Sequence, residues 1–130
     1  MLKLKTKYKR LNEEEKNEFH NLFEFSNLRH ELRHFQQNIF IIRLLGPENY
    51  VKTFKPKMSL EYINQLYNAF GGELTNEDDK QQAEKYLKAQ QRYESDKLSS
   101  YKKYRGNLLE QDARTAQYNW IFQQLEQNRN

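Results

Sequence analysis

The chain of 130 residues has no cysteine, four glycines and two prolines, and each shortage narrows what it can be. Without thiols it has no disulfides, no cysteine nucleophile and no zinc site of the thiolate kind. Glycine and proline punctuate turns, so their scarcity leaves room for only a few interruptions of regular structure. One valine, five isoleucines and four threonines are too few β-branched residues for a sandwich or barrel. No run of about 18 apolar residues exists, which excludes a membrane-spanning helix from the reading and points to a cytoplasmic protein. Leu, Ile, Val and Phe together make 30 of the 130 residues, enough for a thin core only.

What is abundant is Leu, Glu, Lys and Gln, all good helix formers, and the expected fold is all-α. Gly46-Pro47 with Pro56, then Gly71-Gly72, then Gly106 cut the chain into four helical segments at about 12–45, 59–70, 76–105 and 107–126. A helical bundle or elongated helical hairpin follows, as a single domain over 11–130 preceded by a flexible basic arm at 1–10. Asn12, before Glu13-Glu14-Glu15, reads as the cap of the first segment, Ser59 as that of the second, and the third opens near Asn76. Residues 48–57 read as a connection, because Pro56 disfavours helix just before it. In the first segment Phe25, Leu28, Leu32, Phe35, Ile39 and Ile42 keep a 3-4-3-4-3 spacing, the seam of a helix packed lengthwise on another.

Charge is segregated along the chain. Residues 1–10 hold five cations and no acid; residues 11–79 hold 7 cations and 12 acids; residues 80–105 hold 8 cations and 3 acids. Such zones attract phosphates or an acidic protein partner more strongly than the net charge of +4 suggests. The candidate contacts are Lys3, Lys5, Lys7, Lys9 and Arg10 on the arm, Lys85, Lys88 and Arg92 on the third segment, and the run Lys102, Lys103, Tyr104, Arg105. Lysines contact phosphate without reading sequence, and tyrosine rings beside them can stack on unpaired bases. Trp120, in a crowded aromatic turn, belongs either to the core or to a partner interface. The leading expectation is thus a non-enzymatic regulatory, accessory or inhibitory protein that engages nucleic acid or a nucleic-acid-handling protein. It is expected to act as a homodimer or in a hetero-complex, away from membranes and without a cofactor.

One motif points elsewhere. His30-Glu31-Leu32-Arg33-His34 is a literal H-E-x-x-H within a helix, and it resembles the zinc metalloprotease motif over those five residues. Histidines four apart share a helix face and can hold one metal, with Glu31 as the base acting on metal-bound water. The resemblance implies zinc and a metallohydrolase as the alternative function. Against it, Arg33 places a positive charge beside the ligands, and a third ligand has to come from residues such as His20, Glu73, Asp78 or Asp79. With the Phe25–Leu32–Ile39 seam taken as the core side, His30 lies on the far side of the helix and His34 on a flank. Both are expected to face solvent. A third alternative is a helical oligomeric adaptor or structural protein.

Overall fold

A computed structural model describes the backbone of residues 2–99, 103 and 106–128, and the side chains of all of these except 2–4 and 94–99. The described chain is all-helical, with six helices: α1 (Leu2–Lys9), α2 (Glu13–Leu45), α3 (Pro47–Phe54), α4 (Leu60–Ala69), α5 (Glu77–Ser99) and α6 (Leu108–Asn128). None of them is long and apolar enough to cross a membrane.

The caps read from sequence are in place. Asn12 Oδ1 accepts from the Glu15 amide at 2.8 Å while Glu15 Oε1 accepts from the Asn12 amide at 3.2 Å, a reciprocal capping box that opens α2. Ser59 Oγ accepts from the Tyr62 amide at 3.1 Å to open α4, and Asn76 Oδ1 accepts from the Asp79 amide at 3.1 Å to open α5. α4 stops at Gly71-Gly72, whose φ values of 105° and 71° suit glycine. A side chain at Gly71 would also meet the Arg43 guanidinium, 3.1 Å from its Cβ position.

Two expectations about segments are corrected. The arm at 1–10 is not an arm: Leu2–Lys9 is helical, and Tyr8 anchors it. The Tyr8 ring stands edge-on to Phe19 with centroids 5.0 Å apart, and its hydroxyl is 3.0 Å from His20 Nε2. The period-two alternation of Leu and Lys is weak local information, and tertiary packing of one aromatic residue overrides it. Residues 47–54 are helix, not connection, so the described residues form six helices instead of four segments. Pro47 sits in the first turn, where its missing N–H costs nothing, and Tyr50 is buried. Lys55 then takes a left-handed conformation, φ 46°, with its amide on Val51 O, and closes α3 before Pro56.

The chain divides into two compact units. One is built from residues 35–109. Its core joins Ile39, Ile41 and Ile42 of α2 to Tyr50, Ile63, Tyr86, Ala89 and Leu109. Ile41, Ile42 and Ile63 are essentially solvent-free, each worth about 1.5–3 kcal/mol of apolar burial. Asn107 ties its end: its amide nitrogen donates to Ala89 O, and its Oδ1 accepts from the Leu109 amide at the start of α6.

The other unit combines residues 1–34 with 110–130, so it is discontinuous in sequence. Leu11 and Phe19 pack there against Ile121, Phe122 and Leu125 of α6, with Tyr8, Leu22, Tyr118 and Trp120 around them. Contacts pair Phe19 with Phe122 and His30 with Glu110, so α2 and α6 run antiparallel in this unit.

The seam is the third correction. Ile39 and Ile42 are buried as expected, but Phe25 and Leu28 are 72% and 73% exposed, Leu32 42% and Phe35 39%. The stripe that α2 turns inward is instead Phe19, Leu22, Ser26, His30, Arg33, Gln37 and Ile41, at spacings of three and four. Four of those seven are polar or charged. They can face inward because α6 offers Glu110, Asp112 and Gln117 to the ones before residue 35 and Leu109 O accepts from Gln37 at 3.0 Å.

Candidate metal centre

With the stripe turned inward, both histidines of the H-E-x-x-H motif leave the solvent side where sequence periodicity put them. They converge on Glu110, the third residue of α6, whose side chain is only 6% exposed. His30 Nε2 lies 3.2 Å from Glu110 Oε2, His34 Nε2 lies 3.1 Å from Glu110 Oε1, and the two imidazole nitrogens are 3.1 Å apart. His30, His34 and Glu110 each offer one ligand atom, all within 4.8 Å of one another.

Second contacts fix the orientation of His30. The Gln117 amide nitrogen donates to Ser26 Oγ at 2.8 Å and to Asn27 Oδ1 at 3.2 Å, which leaves its Oε1 to face His30 Nδ1 at 3.0 Å. The Ser26 hydroxyl donates in turn to Phe23 O. His30 Nδ1 therefore carries hydrogen, and Nε2 is the ring nitrogen turned to the centre. Opposite it, 3.2 Å away, stands Glu110 Oε2. Either a proton or a metal ion between His30 Nε2 and Glu110 Oε2 would satisfy both atoms.

The spacing suits a transition-metal ion. Ligand atoms about 2.05 Å from zinc at tetrahedral angles are roughly 3.3 Å from one another, close to the three separations here. A ligand histidine whose other ring nitrogen donates to a side-chain oxygen is the usual arrangement of metal sites.

Arg33 is no obstacle. Its guanidinium makes a paired contact with Asp112, Nε to Oδ2 at 2.7 Å and Nη2 to Oδ1 at 3.1 Å, so its charge is met on α6. Glu31 is exposed and has no ion-pair partner among the described residues. At about 100° per residue it stands on the flank of α2 next to His34.

None of the third ligands considered from sequence belongs to this cluster: His20 bonds to Tyr8, and Glu73, Asp78 and Asp79 are not among its members. Glu110 was missed, although a signal existed. In α6 the residues Glu110, Ala113, Gln117, Ile121 and Leu125 follow one helical stripe, and all five are buried. Two polar residues inside an otherwise apolar stripe mark a buried polar site.

The basic candidates are distributed differently. Lys5, Lys7, Lys9 and Arg10 are exposed on and just after α1, with Lys7 Nζ 5.7 Å from the Phe122 ring centroid. Lys85, Lys88 and Arg92 are exposed on one face of α5, and Lys103 is exposed. Lys102, Tyr104 and Arg105 lie outside the described residues, as does the side chain of Lys3. Trp120 is half-buried against the core of its unit, with the Arg29 guanidinium 5.6 Å from its ring centroid. No family model, no curated protein and no solved structure matches the chain.

Proposed function

We propose that this protein binds a zinc-type divalent ion through His30, His34 and Glu110. One observation carries the reading: two imidazole nitrogens and a carboxylate from two helices converge at 3.1–3.2 Å, the separations expected of ligand atoms around one tetrahedral zinc. Two imidazoles and one carboxylate suit zinc among common ions, whereas calcium and magnesium take oxygen ligands. Three protein ligands leave a fourth position, and hydrolytic zinc sites of the two-histidine, one-glutamate kind keep that position for water. The proposal therefore extends to a metallohydrolase with Glu31 as the base that takes a proton from the water.

The test is metal analysis of the purified protein followed by zinc titration of the stripped form. About one zinc per chain is expected, with His30→Ala, His34→Ala and Glu110→Gln each abolishing it. Absence of zinc after titration defeats the reading. Glu31→Gln should keep the ion and lose hydrolysis of an acyl substrate; unchanged hydrolysis removes the enzymatic part and leaves the metal site.

A second reading keeps the basic surfaces. Lys85, Lys88 and Arg92 are exposed at helical spacing, and the cations of α1 face no acid within their own segment. They support a cytoplasmic binding protein for nucleic acid or an acidic protein partner. Affinity for mixed DNA or RNA should then fall steeply between about 50 and 200 mM salt and weaken in Lys85/Lys88/Arg92→Ala. No binding at low salt eliminates that reading and leaves the metal site untouched.

A further inference from the structure

The Phe25, Leu28 and Leu32 part of the α2 seam keeps its spacing but is not covered by any of the described residues. Phe25 and Leu28 are 72% and 73% exposed and Leu32 is 42% exposed. On the helical wheel the three lie roughly 140° from the inward stripe, so the helices that pack on the His30 side do not reach them. At about 150–250 Å² for a whole Phe, they leave roughly 350 Å² of contiguous apolar surface, in the range of the largest patches on monomers.

The flanks of this stripe say what fits on it. With Phe25 and Leu32 at heptad position a and Leu28 at d, Glu24 falls at g and Arg29 at e. In a parallel pair of helices, position g of one heptad faces position e of the next heptad on the partner, five residues on. Glu24 and Arg29 have that spacing and opposite charge, and two-fold symmetry makes the pair twice. An antiparallel arrangement would instead set position g against position g, with Glu24 facing Glu31 of the second copy, two like charges. We propose that a second copy of this chain covers the Phe25–Leu28–Leu32 face of α2 as a parallel helix pair.

Area sets its strength. Two such stripes bury roughly 700 Å², below the 1,200 Å² at which stable interfaces begin, so the dimer is weak and reversible. Glu18 and Asn21, at the preceding a and d positions, end the seam on its N-terminal side. The inference is independent of the metal site.

Lack of native cysteine makes the test clean. Phe25→Cys, Leu28→Cys and Leu32→Cys are each made singly in the full chain and oxidised at high protein concentration. In the parallel register equivalent residues meet across the two-fold axis, so each of the three variants should form a disulfide-linked dimer. Linkage at one position only would reveal an antiparallel pair and overturn the proposal, as would linkage at none. Sedimentation equilibrium on the cysteine-free protein should show concentration-dependent dimerisation, weakened at least about tenfold by Leu28→Glu. Glu24→Arg should weaken it as well, and Glu24→Arg with Arg29→Glu should restore it. A monomer at about 1 mM, or a dimer indifferent to Leu28→Glu, overturns the proposal. These side chains are exposed, so helical circular dichroism should stay unchanged in every variant.

Discussion

Gln117 touches no proposed metal ligand atom, yet it should control affinity, and Gln117→Leu makes this measurable. Leucine is close in size and keeps the stripe of α6 filled, but removes the oxygen that accepts from His30 Nδ1 at 3.0 Å. The consequence differs between the two states of the site. Without an ion, His30 can move its hydrogen to Nε2 and donate to Glu110 Oε2, 3.2 Å away. The lost bonds from Gln117 to Ser26 and Asn27 are common to both states and cancel in the affinity. With an ion held on Nε2 the hydrogen must stay on Nδ1, where the leucine leaves it without a partner in a half-buried place. An unmet donor of this kind costs about 1–3 kcal/mol, which falls entirely on the metal-bound state. Zinc affinity should drop between about 10-fold and 100-fold, in line with losses on removing other second contacts of ligand histidines.

Competition with a chelator of known affinity at fixed pH measures this change, and urea unfolding of the stripped protein checks that the variant folds. Gln117→Glu supplies the opposite sign, because a carboxylate accepts more strongly from Nδ1–H and should tighten binding. Equal affinities for wild type and Gln117→Leu would refute the argument that Gln117 fixes the tautomer. Tighter binding in Gln117→Leu would show that the amide opposes the ion.

Three further outcomes follow from the fold. Ile63→Ala empties a solvent-free position in the core of residues 35–109 and should cost about 2–5 kcal/mol in urea unfolding; a cost below about 1 kcal/mol would mean the core collapses around the gap. Ser59→Ala removes the acceptor of the Tyr62 amide and should cost about 1 kcal/mol, whereas Ser59→Gly should cost less, both read as shifts of the denaturation midpoint. Burial of the Tyr50 phenol raises its pKa above the ordinary 10.0, so the unfolded chain ionises first as pH rises. The stability that Tyr50 lends is full below pH 10.0 and declines above it; Tyr50→Phe should lessen that alkaline decline, and an identical decline in the variant would contradict it.

Local chemistry made the helices and their starts legible. Asn12, Ser59 and Asn76 cap because short polar side chains reach amides two or three residues on, and Gly71-Gly72 stops α4 because its φ values are positive. Such interactions lie within a few residues and depend on nothing distant. Period alone misplaced α2. An apolar seam and a mixed stripe coexist on that helix, and a hydrophobic pattern prefers the seam. The decision was made by α6, which brings Glu110, Asp112 and Gln117 from at least 76 residues beyond His34 and satisfies the polar stripe with hydrogen bonds and an ion pair.

The same cause explains α1, whose helix depends on Tyr8 meeting Phe19, and the site itself. The sequence by itself determined that the chain is helical, where most helices begin, and that two histidines share a helix face. Only tertiary structure decided that this face points inward and which carboxylate it meets. Burying a polar side chain costs free energy unless a partner is supplied, and the partner here comes from a distant part of the chain.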